Sequence, residues 1–465
     1  MQMGKYHKAI LVSILACSFA LTACQSAPED DIVVNKNDGV LESAIHESAN
    51  GSDGETKTPE MYTDTFDTAS ATIKGKINAN VSYPAGDMPV IRVKPRDITV
   101  DEAKHWAEAL FEGNTAYEPK NIRTKAEIEE RILSLKEAMS DKEKFYEERG
   151  GVEVWDMYEN MIANLEKAYE TAPETYTRKE TDWTFHDYDY YDIYASETSP
   201  SENTEVYDLS KTKVLEMETD ATALNGHQGY IRVSNRDEDD FRLHNIVFYL
   251  KDSDNIDALP DSNMTEDEAM AMADEVRLKL NLPDWEIDSS WGDSDRYTFI
   301  YTPVYNNVAA MFPGRGTGVN ADNKDDAYAA NYYYESLEIV IYKGLLTEVR
   351  WESPVEIVDS ENDNVAVMEL EEVVSAFKSY MQSKYTDSVL KKQGIEDPNA
   401  KIVVTDINCR LMRVKIKDNS NEFYMLPAWE FKGEVQVGES YKMDLGVLAL
   451  INGLDGSVID VALGY

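Results

Sequence analysis

Residues 265–276 read Thr265-Glu266-Asp267-Glu268-Ala269-Met270-Ala271-Met272-Ala273-Asp274-Glu275-Val276, and they mark how the chain is built. Thr followed three residues later by Glu is a capping box. The hydroxyl accepts from the N3 amide and the carboxylate accepts from the cap amide, so a helix starts here. Met272, Ala273 and Val276 then share one face. The same opening stands at Thr99-Val100-Asp101-Glu102-Ala103, with Trp106, Ala107 and Leu110 in the matching places. A looser third copy runs from Glu371-Glu372-Val373-Val374 to Ala376, Phe377 and Tyr380.

Outward from these helices the apolar period changes to that of strands. Trp183–Tyr188, Val214–Met217, Gly229–Val233 and Asn245–Leu250 follow the first helix, separated by turn formers. Arg296–Tyr301, Ser336–Tyr342 and Leu346–Trp351 follow the second, the last two joined by a tight turn at Lys343-Gly344. Lys401–Val404, Cys409–Lys417, Phe423–Phe431, Val447–Ile451 and Ser457–Val461 follow the third. An inserted helical hairpin is expected at about 123–172. Ile128, Ile132, Leu135 and Met139 form one stripe, Gly150-Gly151 breaks it, and Trp155, Tyr158, Met161, Ile162, Leu165 and Tyr169 form another that Pro173 stops. The fold class is therefore α+β, made of repeated units of a helix plus an antiparallel sheet. The expected divisions are an N-terminal α+β domain at 66–260, a helix-plus-sheet unit at 261–360 and a second at 361–465.

The N-terminus is of another kind. A basic patch of Lys5, His7 and Lys8 leads into the apolar run 9–20, which ends in Leu21-Thr22-Ala23-Cys24. That is a secretion signal over residues 1–23. Its end resembles the bacterial lipobox, in which a cysteine thiol takes the lipid. The run is shorter than the ~20 residues that span a ~30 Å hydrocarbon core. Two or three acyl chains on Cys24 would hold durably where a single chain holds marginally, so the membrane is the first expected partner and the outer face of the cytoplasmic membrane the expected location. Residues 24–65 are polar and read as a flexible tether, about 35 Å long for a coil of ~40 residues.

The chain of 465 residues carries 45 basic against 88 acidic residues, and Lys5 and Lys8 leave with the signal. So acidic a body excludes nucleic acid as a partner and is repelled by anionic lipid and wall polymers. Of the three cysteines, Cys17 leaves with the signal and Cys24 is taken by lipid. Cys409 remains, so no internal disulfide can form and the fold must rest on its apolar cores. Within the apolar run 402–412, Cys409 reads as a small core residue.

The order Tyr301-Thr302-Pro303-Val304, Trp351-Glu352-Ser353-Pro354, Arg410-Leu411-Met412-Arg413-Val414, Leu426-Pro427-Ala428-Trp429-Glu430-Phe431 and Leu450-Ile451-Asn452-Gly453-Leu454-Asp455-Gly456 through Asp460 resembles a family of uncharacterised lipoproteins from clostridial Gram-positive bacteria. More distantly, the Pro-x-Trp strand followed by an Asp-Gly turn is similar to the extracytoplasmic YycH and YycI proteins, membrane-attached regulators of a sensor kinase, and to PepSY modules. The resemblance implies an envelope location and brings no catalytic residues with it. YycI-like proteins carry a transmembrane helix where this chain has a lipidation signal. Read for themselves, Trp429 and Phe431 alternate onto one core face, Pro427 suits a strand edge and Asp455-Gly456 makes a turn.

Candidate chemistry is sparse. Asp359-Ser360-Glu361-Asn362-Asp363-Asn364-Val365 offers alternating oxygens, but Asn364 stands where a calcium loop needs Gly and Leu370 where it needs a bidentate Glu. Asn320–Asp326 and Asp237–Asp240 lack the turn glycine, so no metal and no cofactor is expected. Six histidines form no His-Glu-x-x-His pattern, and no Gly-x-Ser-x-Gly appears. The best local ligand candidate is Trp183, His186, Asp187, Tyr188, Asp189 and Tyr190, where an imidazole and carboxylates stand among rings on which sugars stack. The expected function is a non-enzymatic protein-interaction or regulatory module that binds an envelope protein. The alternatives are a glycan- or solute-binding lipoprotein, and a hydrolase whose carboxylates meet only in the fold.

Overall fold

The structure, a computed structural model, describes residues 40–48, 58–111, 115–117, 123–149, 152–177, 179–180, 186–187, 212–219, 229–238, 241–250, 256–257, 259–293, 295–314, 334–392, 394–416, 419, 421–438 and 441–461. It is α+β, with two antiparallel-rich sheets and eight helices among the described residues. In chain order the elements are α1 (Val40–Ile45), β1 (Met61–Asp67), β2 (Lys74–Ser82), β3 (Val90–Pro95), α2 (Val100–Leu110), β4 (Ala116–Tyr117), α3 (Lys125–Ala138), α4 (Lys142–Arg149) and α5 (Val152–Tyr169). Next come β5 (His186–Asp187), β6 (Thr212–Thr219), β7 (Gly229–Glu238), β8 (Phe241–Leu250), α6 (Glu266–Lys279), β9 (Trp285–Asp293), β10 (Arg296–Tyr305), β11 (Val308–Ala309), β12 (Ser336–Tyr342) and β13 (Leu345–Glu352). The last are β14 (Val355–Asn362), α7 (Leu370–Lys384), α8 (Asp387–Lys392), β15 (Ala400–Lys415), β16 (Phe423–Val437) and β17 (Tyr441–Asn452).

Both expected capping boxes form: Thr99 and Thr265 each accept from the Glu amide three residues on, and Glu102 and Glu268 reach back to the cap amide. A third closes at Thr124 and Glu127 at the head of α3. The looser copy, α7, starts at Glu369 without a side-chain cap, and its buried Leu370, Val373, Val374, Phe377 and Met381 hold it instead. The two capped helices share one core on the ten-stranded sheet, with Trp106, Phe248, Phe299 and Trp351 among its largest members. That sheet is continuous across the two repeats because β8 pairs with β13, Ile246 opposite Trp351. The turn between β12 and β13 has Lys343 and Gly344 both at positive φ, 51° and 76°, as a two-residue hairpin requires.

Sheet membership follows space rather than chain order. β1, β2 and β3 join β14–β17 in a seven-stranded sheet, with β2 running parallel to β15. Its core is a second cluster, in which Phe377 of α7 stacks on Phe431 of β16 at 4.2 Å and Trp429 is buried. Pro427 differs from its expected edge position, since β16 lies inside the sheet. One flank of β16 pairs with β3 up to Met425 and with β17 from Ala428, and the Pro427 carbonyl accepts from Gly453 N at 2.8 Å on that flank. The proline thus sits where one neighbouring strand hands over to the next, and no ladder donor is missed.

Three further differences are local. Within the span expected as tether, α1 places Ile45 in the seven-stranded core with Leu41 and Ala44 against it, a helical spacing inside a polar stretch. The hairpin is α3 against α5 as expected, meeting at Ile128, Leu135 and Leu165, but α4 stands between them. Its buried Phe145 packs edge-on against Trp155 and Tyr158. Ser457–Val461 contributes one bridge, Val458 to Ile451, rather than a strand. No helix of the described residues is long and apolar enough to cross a membrane.

Candidate functional site

A cavity of about 520 Å³ opens where the two repeats meet. Its walls come from the start of α2 (Asp101, Glu102, His105, Trp106), the segment after α6 (Leu280, Asn281, Leu282, Trp285), the end of β10 (Pro303, Tyr305), and Arg96, Glu335, Trp351 and Val355. Backbone contacts fix these pieces. Arg96 N donates to Pro354 O at 3.0 Å, and Ile98 exchanges bonds of 2.9 and 2.8 Å with the side-chain amide of buried Asn235. Ser353, left-handed at φ 50°, turns the chain from β13 of one sheet into β14 of the other, with its amide on His244 O at 2.7 Å. His105 Nε2 lies 3.1 Å from Lys279 O and ties the two helices together.

Three tryptophans form the apolar wall. Trp106 stacks on Trp351 at 5.9 Å, and Trp285 meets Trp351 edge-on at 6.1 Å. They are 1%, 8% and 5% exposed for Trp106, Trp285 and Trp351, so they show the cavity little more than their margins. The Arg96 guanidinium lies 5.1 Å from the Trp351 ring centre, a cation–π placement. It is also bidentate to Glu102, at 2.7 and 3.0 Å. Arg96 and the Thr99 amide and hydroxyl hold the Glu102 carboxyl below its ordinary range against the opposing effect of burial.

Glu335 is another acid of the cleft, and its situation is the reverse. Trp351 Nε1 donates to one carboxyl oxygen at 3.1 Å and Tyr305 Oη to the other at 3.4 Å. It forms no ion pair among the described residues. Burial pushes its pKa up to about 7, against the opposing influence of the Trp351 indole, Arg96, Arg413 and the Val355 amide. One site therefore holds a carboxylate already neutralised by arginine, and a carboxyl poised near neutrality that no cation of the described residues contacts as an ion pair. Every oxygen of Glu102 is engaged by Arg96 or Thr99, so it is not available to activate water.

The residues singled out from the sequence fall elsewhere. His186 and Asp187 form β5, paired with Glu216 and Leu215 of β6. Trp183, Tyr188, Asp189, Tyr190 and Cys24 lie outside the described residues. Cys409 is buried and burial raises its thiol pKa, as suits a core residue. The acidic run at 359–363 lies in and after β14, where Arg92 pairs with both Asp359 and Glu361. Among the described residues no three His, Cys, Asp or Glu side chains gather closely enough to hold a metal. Arg96, Glu335, Tyr305 and Trp285 were not legible as site residues. Trp106 was, but only as core.

No family model matches this chain, and no curated protein matches it. Among solved structures it is similar to an uncharacterised protein from Eubacterium rectale, at 11% identity and a TM-score of 0.37, over 93% of this chain and all of that one. It is also similar to the Bacillus megaterium YpeB C-terminal domain, at 12% identity and a TM-score of 0.27, over 54% of this chain and 83% of that one.

Proposed function

We propose that the protein is an extracytoplasmic lipoprotein, anchored through Cys24, that works without catalysis by binding an envelope protein at the cleft between its two capped helices. The observation that carries the recognition reading is Glu335, a half-buried carboxyl in a tryptophan-walled cavity with two hydrogen-bond donors and no ion pair among the described residues. A carboxyl kept from water without a counter-charge costs stability, and such a cost is retained where a ligand can offset it. The anchor is supported by the spelling of Leu21-Thr22-Ala23-Cys24. Glu102, one of the three carboxylates of the cleft, is saturated by Arg96 and its own cap, which counts against its serving a hydrolase as the partner of Glu335.

Two measurements test this. Cys24→Ala is expected to move the protein from the membrane fraction to the medium, and continued membrane retention would remove the anchor from the reading. For recognition, a photo-cross-linker at Asn281 on the cleft rim of the lipidated protein is expected to trap one reproducible envelope protein. The same group at Leu133, an exposed position on the helical hairpin, is expected to trap none. Equal trapping at both positions would sink the cleft as the recognition site.

A further inference from the structure

We infer that the cleft is a receptor for an organic cation, an alkylammonium or guanidinium group on an aliphatic stem, seated against the Glu335 carboxyl. The inference deepens the recognition reading above and rests on the cleft being a binding site.

Charge decides the sign of the ligand. The ionisable side chains lining the cavity are Arg96, Asp101, Glu102, His105, Tyr305 and Glu335. Arg96 is matched by both oxygens of Glu102 at 2.7 and 3.0 Å, so that pair presents no net charge to a newcomer. Asp101 and Glu335 remain, and the buried Arg413 of β15, outside the lining, acts on Glu335 together with Arg96 but offsets only part of the effect of burial. An anion would meet both carboxylates and would have to compete with Glu102 for the guanidinium. A cation meets a carboxylate whose partners, Trp351 Nε1 and Tyr305 Oη, hold its oxygens in place without cancelling its charge.

The surroundings decide the rest. A wall of Trp106, Trp285, Trp351, Leu280, Leu282, Pro303 and Val355 suits a methylene stem and weakens screening, so one ion pair there is worth more than at the surface. The protein's own Arg96, 5.1 Å over Trp351, already shows that this wall accepts a cation on a ring. A sugar is the weaker fit. It needs an open ring face, and the three rings are at most 8% exposed. Two sources supply the chemistry, a lysine or arginine side chain of the partner protein and a free amine of the medium.

The test uses the full-length chain in detergent, titrated calorimetrically with 1,5-diaminopentane, N-acetyl-lysine methylamide, N-acetyl-arginine methylamide, neutral 1-pentanol and chitotriose. The cations are expected to bind and pentanol not. Affinity for the lysine and arginine derivatives is expected to rise about tenfold per pH unit up to about pH 7 and to level off above it, because the carboxyl that receives them ionises there. Glu335→Gln is expected to weaken the cations at least tenfold at pH 8 and to abolish the rise. Tighter binding of the amino-acid derivatives points to a side chain as the natural ligand, and tighter binding of the diamine to a free amine. Binding of pentanol equal to that of the cations, binding of chitotriose alone, no binding of any cation, or a Glu335→Gln protein indistinguishable from wild type would each overturn the inference. Cross-linking of a partner at Asn281 with no cation binding would overturn this inference and leave the recognition reading standing. Cation binding with no partner trapped would do the opposite.

Discussion

At the scale of single residues, Glu335 and Cys409 make opposite use of burial. Glu335 titrates near 7 in the fold against an ordinary carboxyl value of 4.5, so the folded protein holds this proton more tightly than the unfolded chain. Its ionisation therefore costs stability progressively as pH rises from about 4.5 to about 7, and the cost is complete above that. Glu335→Gln keeps an acceptor for Trp351 and removes the charge. Without ligand it is expected to raise the unfolding free energy by up to about 3 kcal/mol at pH 8 and to change it little at pH 4, measured by urea denaturation. Equal effects at both pH values would contradict the assignment. Burial raises the thiol pKa of Cys409, which lies within the seven-stranded core. It is expected to react with a thiol reagent only at the rate of unfolding.

At the scale of elements, the two capped helices look alike in sequence and do different work in the fold. Glu268 only caps α6, whereas Glu102 caps α2 and also carries Arg96 into the cleft. Thr265→Ala is expected to cost about 1 kcal/mol, the ordinary value of a lost cap. Thr99→Ala is expected to cost more and to change tryptophan fluorescence, because Arg96 lies over Trp351 and depends on where Glu102 is held. A Thr99→Ala protein with the stability loss and spectrum of Thr265→Ala would show that the second role is absent. Both boxes, and the stripes of the helical hairpin, were legible because helix starts and apolar periods are local properties. β1–β3, β9 and β14 were not. Lys74–Ser82, for example, alternates Gly75, Ile77 and Ala79 inward with little apolar weight, and it becomes a strand because β15 lies beside it.

At the scale of the whole molecule, the two sheets are clasped by a buried ion pair. Arg410 of β15 binds Asp288 of β9, with the side chains 16% and 2% exposed, and Asp288 also accepts from Phe312 N at 3.2 Å. Beside it Ala310 bridges to Leu411 in parallel, and Met311 N donates to Leu411 O at 2.8 Å. Removing one partner strands the other charge. Arg410→Met is expected to cost about 3–5 kcal/mol, and Arg410→Met with Asp288→Leu to recover much of it, in thermal or urea unfolding. Without β1–β3 the seven-stranded sheet loses β2 from the flank of β15 and β3 from that of β16. A chain beginning at residue 96 is expected to lose cooperative unfolding and to expose its C-terminal part to protease, while one beginning at residue 40 keeps both.

The sequence by itself determined the acidic balance, the helix starts at Thr99 and Thr265 and the α+β class, since composition and the spacing of near neighbours suffice for them. Only the tertiary structure decided that strands before residue 96 complete the sheet of strands after residue 400. It alone decided, too, that Arg96, Trp106, Trp285, Glu335 and Trp351 meet in one cleft. Those five come from separate stretches and carry no shared spacing, and what makes Glu335 unusual is the burial that folding imposes on it without an ion pair among the described residues.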